Sequence, residues 1–196
     1  MEEREEVAVE NLSPMRTELR TGRLLLRPFA AGDVEDALAY RNDVEFARFL
    51  PHIPQPFTRR DAEALVALNM SEPWDREPTF AIVLDGKVIG TVNFSIDART
   101  RTAMVGYAIG RAWWGQGIAV LAARTAIEWA IEAFGLTRIW GSTDSRNVRS
   151  LRVLEKLGMA RETLRVADHV GRDGEPVDEV VYGLSLGGNG ASAITV

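Results

Sequence analysis

The chain has 196 residues, 46% hydrophobic and 26% charged, a composition that suits one domain with a real core and argues against disorder outside its ends. A formal net charge of -5 argues against a protein built mainly to hold nucleic acid, and no run of about 18 apolar residues is present to span a bilayer. With no Cys, disulfides, thiolate metal sites and cysteinyl intermediates are excluded, and with only His52 and His169 a His-rich metal site is disfavoured, so no metal is expected.

Residues 1–17 are charged and lack an apolar period, and 187–196 begin with the Gly-rich Gly187-Gly188-Asn189-Gly190; both are expected to be mobile ends around one domain at 18–186. The acidic start, Met1-Glu2-Glu3-Arg4-Glu5-Glu6, is the reverse of a signal peptide and predicts a cytoplasmic protein. Arg23 to Phe29 reads as a short strand, and Asp33 opens a helix through Tyr40 with Glu35 and Asp36 in its first turn. After a Pro-rich turn, Pro51 to Pro56, Thr58 is placed to cap a second helix carrying Ala62, Leu65, Val66 and Met70. Thr79 to Leu84 and Lys87 to Phe94 flank Asp85-Gly86, a dipeptide that favours a type I′ hairpin turn, and Ala103 to Ile109 adds a third antiparallel strand. From Gly117 to Phe134 apolar residues recur at helical spacing, with Gly135 as the stop. Thr137 to Ser142 is a strand, Asn147 to Leu157 a helix ended by Gly158, and two last strands, about Arg161 to Val170 and Val177 to Leu186, close the chain. The order predicts an α+β fold: a mixed, mostly antiparallel sheet of about seven strands flanked by about four helices.

Where the third strand gives way to the long helix, the chain reads Trp113-Trp114-Gly115-Gln116-Gly117-Ile118-Ala119. Glycines there permit positive φ and close backbone approach, and the first N–H groups of a helix lack internal partners, so the segment suits a pyrophosphate. An ordinary Gly-rich turn would look the same.

Four segments carry a resemblance: Leu25-Leu26-Arg27-Pro28, Val105-Gly106-Tyr107, Trp114-Gly115-Gln116-Gly117-Ile118-Ala119, and Asn147-x-x-Ser150-x-x-x-Leu154-Glu155-Lys156-Leu157-Gly158-Met159. In order and spacing, over residues 20–186, they resemble the GNAT N-acetyltransferase superfamily, in particular its RimJ/RimL-like branch of ribosomal-protein N-terminal acetyltransferases. The resemblance implies a V-shaped opening between two central strands that takes acetyl-CoA as the acetyl donor, and direct transfer to a primary amine, a protein N-terminus or a small molecule, in a ternary complex. It implies the pantetheine arm along the backbone of Gly106, Tyr107, Ala108 and Ile109, and the pyrophosphate on the amides of Trp114, Gly115, Gln116, Gly117, Ile118 and Ala119. A backbone N–H near Val105 to Tyr107 would polarise the thioester carbonyl.

By the same resemblance Asn147 hydrogen-bonds coenzyme A, although an Asn there also suits a helix N-cap. Ser150 stands in for the tyrosine that many relatives place at Leu154, giving a hydrogen bond to the leaving thiolate; back-bonding to its own helix is the other reading. Many relatives carry a glutamate where this chain has Met104; Glu162 resembles a glutamate common in the branch at the start of the sixth strand, which implies it as the leading candidate base, with His52, Asp168 and His169 as unplaced alternatives and a solvated strand-edge charge as the plain reading of Glu162. Trp74, Trp113, Trp114, Trp129 and Trp140 lack a basic stripe and read as core or cofactor-edge packing, and Arg146, Arg149 and Arg152 as a solvated helix face or contacts to the 3′-phosphate. No nucleic acid or membrane partner is expected, and a homodimer is left open. The losses at Met104 and Leu154 keep one competing reading alive, a non-catalytic acyl-CoA-binding regulatory module of the same fold.

Overall fold

The computed structural model describes residues 16–186, so the expected mobile ends lie outside the described residues apart from Arg16 and Thr17. Strand β1 (Leu19–Thr21) turns back at Gly22 into β2 (Leu24–Arg27). A 3-10 turn, Ala31–Asp33, leads into α1 (Val34–Arg41), followed by the single-turn α2 (Val44–Ala47) and α3 (Arg59–Ser71). Thr58 caps α3 reciprocally: its Oγ1 accepts from Asp61 N at 3.3 Å while its own N–H donates to the Asp61 carboxylate at 2.8 Å.

Strands β3 (Thr79–Leu84) and β4 (Lys87–Asp97) meet at Asp85-Gly86, with φ of 50° and 80°, the two positive values a type I′ turn requires. Next come β5 (Thr102–Ile109), a 3-10 turn at Arg111–Trp113, α4 (Ile118–Phe134), β6 (Arg138–Asp144), α5 (Val148–Lys156), β7 (Ala160–Val170) and β8 (Pro176–Ser185). The architecture is the expected mixed α+β one, with eight strands and five α-helices among the described residues. The two additions are short: β1 has three residues and α2 four, too few to display a period. Among the described residues no helix is long and apolar enough to cross a membrane.

The sheet runs β1-β2-β3-β4-β5-β6-β8-β7, antiparallel at every step except β5 to β6. Helices α1 to α3 cover one face, where Phe29, Tyr40, Phe46 and Phe57 pack with Ala81, Val83 and Val88. The other face buries Phe80, Phe94, Val105 and Ile139 under Ala122, Ala126 and Ile127 of α4 and Leu154 of α5. Trp129 is the hub there, its ring 5.0 Å from that of Phe80, 5.5 Å from Phe134 and 5.9 Å from Trp74, so Trp74 and Trp129 are core aromatics.

The parallel pair positions the site. β5 and β6 are in register only at Thr102 to Met104 against Arg138 to Trp140, and beyond Met104 the strands separate. A wedge-shaped gap therefore opens along the last five residues of β5, while their other edge remains paired to β4 as far as Ile109.

Candidate active site

Strand alternation decides which backbone groups face the gap. Gly110 N donates to Ile89 O at 2.8 Å, which fixes the hydrogen-bonded pairs between β5 and β4 as Ala108 with Thr91 and Gly106 with Asn93. The amides and carbonyls of Val105, Tyr107 and Ile109 consequently turn toward β6. The parallel register that ends at Met104 with Trp140 commits the Val105 N–H to the Trp140 carbonyl, and the Ile109 carbonyl is taken by the Trp114 indole N–H at 2.6 Å, so the amide and carbonyl of Tyr107 are the edge that the wedge leaves open.

A cavity of about 450 Å³ fills the wedge and draws walls from both faces of the sheet. On the side of α4 and α5 it is lined by Tyr107, Trp114, Gly115, Gly117, Ile118, Ala119, Asn147 and Ser150, and on the side of α1 to α3 by Ala108 with Glu45, Phe46, Phe49 and Leu50. The passage thus runs through the sheet. Gly115 and Gly117 both adopt φ of 76°, a left-handed conformation that costs glycine nothing. Gly117 starts α4 with no side-chain cap and no acidic residue follows in the first turn, so the dipole end and its N–H groups face the cavity uncompensated. At the same end Arg149 stacks its guanidinium 4.6 Å from the centroid of the Trp114 ring, and Arg152 and Lys156 complete a basic wall.

Asn147 fills the helix-cap role and leaves its other amide atom unused. Its Oδ1 caps α5 by accepting from Ser150 N at 3.2 Å, and its amide NH₂ is not used by the cap. Ser150 does not back-bond to its helix. Its Oγ lies 3.0 Å from the Tyr107 hydroxyl, which also reaches the Ser150 carbonyl at 3.1 Å. Burial pushes the Tyr107 phenol up to about 12, against the opposing pull of the Ser150 hydrogen bond, so it stays protonated at neutral pH. Leu154, one turn further on, is buried and apolar.

Three expected site residues lie away from the cavity. The backbone of Gly106 is committed to Asn93 of β4, and its Cα faces the Asn93 side chain, where a Cβ would come within 2.7 Å of Oδ1. Gln116 points outward, its amide donating to Ala112 O at 3.2 Å. Glu162 is ion-paired with Arg138 at the closed end of the wedge, packed so tightly over Gly183 that a Cβ there would overlap its carboxylate. Of the alternatives, Asp168 and His169 pair with each other at 3.4 Å on β7, away from the cavity walls, and His52 is not a wall residue either; partial burial, then the cations Arg41 and Arg172, lower its pKa. Arg146, grouped with Arg149 and Arg152 from the sequence, is instead locked to Asp144 at 2.8 Å and Asp173 at 2.9 Å.

Sequence reasoning missed Glu45, the only carboxylate among the described cavity-lining residues, and its neighbours Phe46 and Phe49. The available signal was Asp43, which caps α2 by accepting from Glu45 N and Phe46 N at 2.8 and 3.0 Å. It also missed the side chain of Tyr107, which had been read only for its backbone.

Comparison with known proteins follows the same lines. A family model described as an acetyltransferase (GNAT) domain matches residues 23–160. An uncharacterized N-acetyltransferase, p20, of Bacillus licheniformis is 27% identical over 169 residues, covering 85% of this chain and 94% of that protein. The crystal structure of a GNAT-family acetyltransferase from Bacillus anthracis superposes with a TM-score of 0.75 at 25% identity, covering 86% of this chain and 98% of that one. Mycobacterium smegmatis RimJ, solved in complex with CoA-disulfide, shares the fold, with a TM-score of 0.76 at 21% identity over 89% of this chain and 88% of its own.

Proposed function

This chain belongs to the GNAT acetyltransferase family, whose donor is acetyl-CoA, and from that premise we propose that it moves the acetyl group directly to a primary amine within a ternary complex. The observation that carries the reading is the cavity through the sheet: one mouth has a phosphate-type helix end and a basic wall, the other has Glu45 among aromatic side chains, and Tyr107 and Ser150 line the passage. Two reactants can enter from opposite faces and meet at the wedge, which suits direct transfer.

In this reading the free backbone edge at Tyr107 holds the pantetheine arm as an added strand would be held. The Tyr107 N–H polarises the thioester carbonyl, and the uncapped end of α4, with Gly115, Gly117, Ile118 and Ala119, takes the pyrophosphate. Asn147 donates through its free amide. Glu45 draws a cationic amine to the far mouth. The neutral amine forms its C–N bond as the C–S bond breaks, Ser150 donates a hydrogen bond to the departing thiolate, and of the two protons an alkylammonium gives up, one ends on sulfur and one in solvent. The acceptor class this fits is a primary amine, of a peptide N-terminus or a small molecule.

The test is thiol release from acetyl-CoA across a panel of N-terminal peptides, amino acids and polyamines, with mass spectrometry of the products. Amine-dependent thiol release with a matching acetylated product supports the proposal. Tight acetyl-CoA binding with no turnover on any acceptor would overturn it in favour of a binding module.

A further inference from the structure

We propose that Tyr107 is a positioning residue for Ser150, donating its hydroxyl proton to Ser150 Oγ so that the serine proton is turned into the cavity, toward the leaving sulfur. This deepens the transfer reading above and rests on it.

The argument is a count of protons. A phenol and a serine hydroxyl each own one, and the Tyr107 oxygen is 3.0 Å from Ser150 Oγ and 3.1 Å from Ser150 O. Two arrangements keep the Tyr107 proton on Ser150. In the first, Ser150 donates to Tyr107 and Tyr107 donates to the Ser150 carbonyl, so both protons are spent inside the wall. In the second, Tyr107 donates to Oγ, and the serine O–H swings into the cavity that both residues line. Only rotations about two C–O bonds separate them. A developing thiolate is an anionic acceptor, stronger than a neutral phenol oxygen, and selects the second arrangement. Tyr107 then replaces the hydrogen bond that Ser150 gives up. Because its pKa is pushed up to about 12, it remains a donor across the physiological range. Leu154 offers no substitute, being 1% exposed and apolar, and Asn147 Oδ1 is occupied by the Ser150 N–H.

The experiment is a double-mutant cycle on the full chain, with Tyr107→Phe, Ser150→Ala and the pair, read as thiol release with the best peptide or polyamine acceptor. Tyr107→Phe is expected to lower kcat about tenfold with KM for acetyl-CoA within about twofold of wild type. The double variant is expected to be no slower than Ser150→Ala alone, because Tyr107 acts only through that hydroxyl. A ring that merely supports the wall would slow both backgrounds by the same factor, and that result, or an unchanged kcat for Tyr107→Phe, overturns the assignment. Should Tyr107→Phe fail to fold, 3-fluorotyrosine at position 107 replaces it: a changed kcat in wild type that vanishes in Ser150→Ala supports the assignment, and an equal effect in both, or none in wild type, overturns it. A wild-type chain with no amine-dependent turnover overturns the transfer reading and this assignment together, whereas turnover with a multiplicative cycle overturns this assignment alone.

Discussion

Gly86 and Gly117 adopt φ of 80° and 76°, and at both a Cβ would meet nothing within 4 Å, so a substitution at either pays in backbone conformation rather than in steric overlap. Their surroundings separate them. Gly86 lies in the β3–β4 turn, and Gly86→Ala is expected to cost about 1 kcal/mol in urea unfolding with no change in donor affinity. Gly117 lines the cavity at the start of α4, and Gly117→Val is expected to weaken acetyl-CoA binding about tenfold or more by calorimetric titration, because it shifts the helix N–H groups and crowds them. Equal affinity in the folded variant would remove this loop from the donor site. Asn147 allows a similar separation. Asn147→Asp keeps an oxygen acceptor for the Ser150 N–H and so keeps the cap, but it loses both amide donors and adds a negative charge to the cavity wall. Stability within about 0.5 kcal/mol of wild type, with KM for acetyl-CoA raised several-fold, is expected; an unchanged KM would leave Asn147 as a cap alone.

Asp144, at the end of β6, ties the start of α5 to the β7–β8 loop through Arg146, which spans Asp144 and Asp173. Burial by itself would raise the Asp144 carboxyl, but the Arg146 side chain and backbone N–H more than reverse this, and the net pKa lies below the ordinary 3.8. A carboxylate depressed in the folded state stabilises above its unfolded pKa, and that contribution is lost as pH falls through the folded value. Asp144→Asn is therefore expected to lower stability by about 1–2 kcal/mol between pH 5 and 8, a modest figure because Arg146 is partly exposed. The gap from wild type should begin to narrow below about pH 4 in pH-dependent urea unfolding and go on narrowing as the pH falls. A gap that did not narrow at all as the pH fell would locate the effect in packing. This clamp also marks a limit of what the sequence discloses. Hairpins, caps and the long helix were legible because their signals are local: Asp85-Gly86 sets a turn, Thr58 a cap, and Gly117 and Gly135 the ends of α4. The wedge depends on pairing between β5 and β6, 30 residues and more apart, and the insertion of β8 between β6 and β7 leaves no local trace. Tyr107 and Ser150 meet across 43 residues for the same reason. Glu162 was placed by position in a motif, which carries no information about Arg138, the cation that holds it at the closed end of the wedge.

The whole molecule carries a net charge of -5, yet a coenzyme A thioester is a polyanion, so its capture depends on a local field opposing the global one. Arg149, Arg152 and Lys156 supply that field from one face of α5, and the bare end of α4 adds to it. Arg149 is already engaged over the Trp114 ring, so Arg152 and Lys156 are the cations freest to meet phosphate. Screening separates the two fields. At about 0.15 M salt the Debye length is about 8 Å, so the distant negative surface is largely silenced while contacts within the cavity persist. At low salt both act. The paired change Arg152→Ala with Lys156→Ala is expected to raise Kd for acetyl-CoA about tenfold at 20 mM salt, and to leave a flatter dependence of log Kd on log salt than the wild type shows. Turnover at saturating donor should remain within about twofold, since neither side chain reaches the Tyr107 and Ser150 hydroxyls. Parallel salt dependences in wild type and variant would mean that this basic wall does not meet the donor, and would shift the phosphate-binding role onto the α4 end alone.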